Sequence, residues 1–133
     1  MSTIKAYTDL EQSKKLAKIL PVESADCFWD YDEMQGFHRI SWFEDGFNKH
    51  SQLLFNENNV CAWSLAALLD VIPYNVTFNK AVYRFKLVKF SDHWECYHEN
   101  FGTVSTKIVK ADNPVDAAFE MIVWLKENED KEE

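Results

Sequence analysis

His93-Trp-Glu-Cys96-Tyr-His98 is the densest set of chemically capable side chains in the sequence, with two imidazoles and a thiol inside six residues. In an extended segment Cys96 and His98 point the same way and can converge on one soft metal ion, with His93 reaching in from the adjoining turn. No C-x-x-C knuckle accompanies them and no fourth ligand is evident. The expectation is therefore a buried thiol on a strand with surface histidines around the turn rather than a metal centre, and no cofactor.

Cys61 raises a different chemistry, because a cysteine near a helix N-terminus can have a lowered pKa and act as a thiolate nucleophile. Papain-like peptidases set Cys before Trp-Ser or Trp-Ala at the start of an apolar helix, with His on a later strand. Cys61 with His93 or His98, and Asn100 or Asp112 to orient the imidazole, follows that order loosely. The pattern is broken by Ala62 between Cys61 and Trp63, and neither a preceding glycine nor an upstream Gln stands out. A cysteine hydrolase using Cys61 and His98 is thus the alternative expectation, and a non-enzymatic role the first.

The non-enzymatic reading starts from charge and aromatics. Residues 23–45 hold seven acidic groups (Glu23, Asp26, Asp30, Asp32, Glu33, Glu44, Asp45) against Arg39 alone, while residues 80–89 carry Lys80, Arg84, Lys86 and Lys89 without an acid. Trp29, Asp30, Tyr31, Asp32, Glu33 and Trp42 are the expected contact surface for an unknown protein partner. A homodimer setting Arg84 and Lys86 against Asp30 and Asp32 of a second copy is a further expectation. The net charge of −8 disfavours nucleic acid and anionic membrane as partners. No P-loop, G-x-G-x-x-G, H-E-x-x-H or G-x-S-x-G occurs, and three glycines are too few for a phosphate-cradling loop.

These residues need positioning elements. With 133 residues, 47% of them hydrophobic, the composition is that of one compact globular domain spanning 1–133. Three widely spaced cysteines and an early acidic N-terminus suit a cytoplasmic protein without a disulfide framework or signal peptide. Thr8-x-x-Glu11 reads as a capping box for a helix over 9–19 ended by Pro21. Residues 25–47 alternate around Gln35-Gly36 as a β-hairpin, and 51–55 suggest a short strand.

From 60 to 72, 11 of 13 residues are apolar, which predicts an enclosed central helix capped by Asn58 or Asn59 and stopped by Pro73. It is too short for a membrane span of roughly 18 residues. Residues 81–90, 93–98 and 103–110 predict a three-stranded antiparallel meander. Asn113-Pro114 then starts a last helix whose buried stripe is Val115, Ala118, Phe119, Ile122 and Leu125, fraying into the acidic 127–133 tail. The class is α+β, a mostly antiparallel sheet packed with three helices.

Segments 6–26, 61–73 and 112–122 resemble a family of short uncharacterised proteins from the genomes and mobile elements of gut anaerobic bacteria. The middle is more divergent, and the chain has Cys61-Ala-Trp-Ser64 where the family pattern has Cys-Trp-Ser. The resemblance implies a bacterial cytoplasmic protein and brings no activity, cofactor or site residue with it.

Overall fold

The computed structural model describes residues 5–45, 48–53, 57–104 and 107–129. It is α+β, with four helices and two antiparallel sheets. Its backbone groups into two compact units: Tyr7–Ala67, and Leu68 onward together with Lys5 and Ala6. No helix among the described residues is long and apolar enough to cross a membrane.

In Tyr7–Ala67 the first helix, α1 (Leu10–Ala17), begins one residue later than the sequence suggests. The capping box is made by Asp9, whose Oδ1 accepts the Gln12 N–H at 2.8 Å while Gln12 Oε1 accepts the Asp9 N–H at 3.1 Å. Thr8 cannot serve as the cap because it is wholly buried, its Oγ1 accepting the Trp63 N–H at 3.1 Å and its own N–H donating to the Trp63 carbonyl at 2.9 Å. The hairpin forms as expected, β1 (Cys27–Asp32) pairing with β2 (Phe37–Trp42). Its turn closes on Gly36 at φ +74, a backbone state that suits glycine, and on Asp32 Oδ1, which accepts the Met34 and Gln35 N–H groups. Residues 51–53 are helical rather than extended, lying in α2 (Lys49–Leu53). The rest of that expected strand, 54–55, lies outside the described residues.

The apolar run 60–72 departs most from expectation. Its first three residues are a strand, β3 (Val60–Ala62), paired antiparallel with β1 in the order β2-β1-β3. The helix is only α3 (Leu65–Val71), and within it Leu68 alone is buried. Ser64 sets the true start: its Oγ accepts the Ala67 N–H at 3.3 Å, while the Asp26 carboxylate takes both the Ser64 N–H, at 2.9 Å, and its hydroxyl. Asn59 is no cap, since its Oδ1 accepts the Tyr31 N–H and so ties this end of β3 to β1.

The second unit is a helix on a sheet. Strands β4 (Asn75–Phe78), β5 (Ala81–Lys89), β6 (Trp94–Asn100) and β7 (Thr103–Val104) follow one another, and β8 (Val109–Ala111) also pairs with β6. The segment after Pro73 is thus itself a strand. It joins β5 through Asn79-Lys80, both at positive φ, as a two-residue hairpin turn requires. The expected third strand is interrupted: β7 ends at Val104 and β8 begins at Val109, residues 107–108 belong to neither, and 105–106 lie outside the described set. The last helix, α4 (Pro114–Asn128), starts where expected: Asn113 Oδ1 accepts the Asp116 N–H at 2.8 Å with Pro114 in the first turn. Val115, Ala117, Ala118, Met121 and Ile122 are its buried residues, whereas Phe119 and Leu125 are half-buried. Of the expected frayed tail, 127–128 are helical and 130–133 lie outside the described residues.

Candidate functional site

The β1–β2 register sorts the expected contact residues into those the fold uses and those it leaves exposed. Trp29 pairs with Ile40 and Tyr31 with His38 on one face. The Trp29 indole N–H donates to the Thr8 carbonyl at 3.1 Å and its ring meets Tyr7 edge-on at 5.6 Å, while the Tyr31 ring lies 4.9 Å from His38. On the other face, Asp30 accepts from the Ser41 hydroxyl at 3.5 Å and Asp32 pairs with Arg39 at 3.1 Å. Glu33 is exposed in the turn and Trp42 is 55% exposed on the outer strand. Sequence reading missed Met34 and Phe37, which are 97% and 45% exposed on the same hairpin. The available signal was an apolar Met34 inside a turn, where packing gives it nothing.

Cys61 sits inside β3, buried, and not at a helix N-terminus. Burial pushes its thiol up to about 11, with Lys49 pulling weakly the other way. The lowered pKa expected there is therefore corrected: a strand interior supplies desolvation and no helix-terminal field. Cys61 belongs to the Tyr7–Ala67 unit, whereas His93, His98, Asn100 and Asp112 belong to the other. Asn100 has its own task, its Nδ2 donating to the Val82 carbonyl at 2.8 Å.

Cys96 and His98 do share the buried face of β6, as the spacing implies, but His98, expected at the surface, is fully buried. Cys96 is pushed up to about 12 by burial and then by Glu120, and its Sγ–H donates to the Ala117 carbonyl at 3.3 Å. His98 Nε2 lies 2.8 Å from the Pro73 carbonyl, which can only accept, so that nitrogen carries a proton and is not a ligand. His93 stands apart in the β5–β6 turn, stacked on Phe90 at 4.7 Å with Asp92 and Glu95 oxygens each 2.7 Å from a ring nitrogen. Among the described residues no three His, Cys, Asp or Glu side chains are grouped to hold a metal ion.

Met34, Phe37 and Trp42 are thus exposed on the hairpin, and Glu33, Glu44 and Asp45 are exposed on or beside it. Compared with protein-family models, curated proteins and solved structures, the chain matches none.

Proposed function

We propose that the chain is a non-enzymatic protein-binding module with its contact surface on the β1–β2 hairpin. The observation that carries this reading is the exposure of Met34, Phe37 and Trp42 along one hairpin. Met34 and Phe37 sit at the turn end of the hairpin and Trp42 at the far end of β2 on the opposite sheet face, and each exposes apolar surface that favours docking over solvation. The outer edge of β2 pairs with no strand among the described residues, which suits an extended partner segment adding to the sheet. Glu33, Glu44 and Asp45 around it favour a basic partner. The three thiols are unpaired, in keeping with a cytosolic setting.

The test is affinity capture with wild-type protein, a Met34→Ser/Phe37→Ser/Trp42→Ser variant, and a Tyr74→Ser/Phe78→Ser variant changed at exposed apolar side chains away from the hairpin. The hairpin variant should lose the specific partner at a nearly unchanged melting temperature, and the other should keep it. Equal capture by all three proteins overturns the surface assignment. Light scattering at low and high salt identifies a second copy as the partner, and a 15.6 kDa species throughout removes that option.

A further inference from the structure

Alternation along β5 leaves Val82, Arg84 and Lys86 exposed on one face, while Tyr83, Phe85 and Leu87 are half-buried on the other. Glu99 lies opposite Arg84 and Tyr97 opposite Lys86, and opposed residues of antiparallel strands share a face. Val82, Arg84, Lys86, Glu99, Asn100 and Phe101 line a concavity of about 350 Å³, within the range of small-ligand sites.

Two independent features distinguish it from a solvated sheet. Neither the Arg84 nor the Lys86 side chain has an ion-pair or hydrogen-bond partner among the described residues, although Glu99 is a register neighbour and the chain has 22 acidic against 14 basic residues. Phe101 is held at φ +45 in a two-residue turn with Gly102 at φ +87, and is completely exposed. That backbone state is costly for a bulky side chain and favours Asn or Gly, and Phe101 recovers nothing through burial. Strain with no return inside the fold points to a contact outside it.

We propose that this concavity binds a small aromatic oxyanion, its phosphate or carboxylate on Arg84 and Lys86 and its ring on Phe101. Alternate residues of a strand are about 7 Å apart at the backbone, within reach of two long side chains, so a guanidinium fork and an ammonium on the same face can share one multi-oxygen group. Glu99 accepts an O–H or N–H from the ligand and leaves the site a net single positive charge. A small anion is tolerated there, while a polyanion is repelled by Glu99 together with the chain's net charge of −8.

Phenyl phosphate, followed by calorimetry and amide NMR shifts at low ionic strength, is the probe, with inorganic phosphate as its charged half. Phenyl phosphate should bind at least about tenfold tighter than inorganic phosphate, with shifts centred on β5, β6 and the 101–102 turn. Phe101→Asn suits the turn and keeps the fold, and should bring phenyl phosphate down to the inorganic phosphate level. Arg84→Gln/Lys86→Gln should abolish binding of both. Equal wild-type affinity for the two probes, no saturable binding, or unchanged binding by the double variant overturns the site.

Discussion

Among the described residues each unit buries two polar side chains in an otherwise apolar interior, and the two differ in whether those groups are tied to the largest buried side chain. In Tyr7–Ala67 the largest fully buried side chain is Trp63, and polar groups surround it: its indole N–H donates to Ser24 Oγ at 2.9 Å, its backbone exchanges hydrogen bonds with Thr8, and Thr8 meets Ser13 at 2.7 Å. In the other unit Val109, Val115, Ala117, Ala118 and Met121 are enclosed by apolar packing, with His98 and Asn113 as the buried polar exceptions. Hydrogen bonds fix direction and tolerate no lost partner, whereas apolar packing fixes volume and tolerates shape changes that conserve it. The Thr8–Trp63 cluster should therefore be sensitive to chemistry and the buried face of α4 to size.

The largest effect expected is at Trp63. Trp63→Ala removes a fully buried ring and strands its polar partners, and should cost about 3–5 kcal/mol in denaturant unfolding. A sharper comparison sets two near-isosteric changes side by side. Thr8→Val keeps volume but leaves the Trp63 N–H without Oγ1, at a cost of about 1–3 kcal/mol. Met121→Leu conserves an apolar volume in α4 and should cost less than about 1.5 kcal/mol. If Met121→Leu proves the more damaging, the contrast between the units is mistaken.

The same contrast explains what was legible in the sequence. The α4 start, the β5 alternation and the hairpin were readable because each rests on a local rule: Asn-Pro at a helix start, period-two patterning, turn residues around Gly36. The run 60–72 was not, because a segment apolar on all sides has no period, and strand and helix then look alike. What divides it is Asp26, some forty residues earlier, binding Ser64, together with the pairing of Val60 to Ala62 with β1. Thr8 misled for the same reason: the local box pattern was present, but Trp63 claimed the hydroxyl.

At the hairpin, the clustering of acids and aromatics was readable, but not which of them the fold uses. Asp32 closes its own turn and pairs with Arg39, and Trp29 reaches Thr8, leaving exposure to Met34, Phe37 and Trp42. The Arg84 and Lys86 stripe was visible as charge, whereas the concavity it lines with Glu99, Asn100 and Phe101 arises from the pairing register of β5 with β6, which no local pattern specifies.

The smallest expected effect is electrostatic and belongs to the β5–β6 turn. His93 faces a carboxylate oxygen from each ring nitrogen, and ionised carboxylates only accept, so the doubly protonated ring is favoured. Glu95 first and Asp92 second raise the His93 pKa, while His93 holds Asp92 below its usual range. The folded His93 value then lies above the unfolded one of about 6.5. Its stabilising contribution is complete below that pH and fades as pH rises through the elevated folded value. The turn is solvated, so the gain is small and weakens with salt. An NMR titration of the ring should give a midpoint above the ordinary histidine value, lowered more by Glu95→Gln than by Asp92→Asn. A wild-type midpoint at or below that value would mean that neither carboxylate holds the ring. The turn would then depend on the Phe90 stack and the 2.8 Å bond from the Phe90 N–H to the His93 carbonyl.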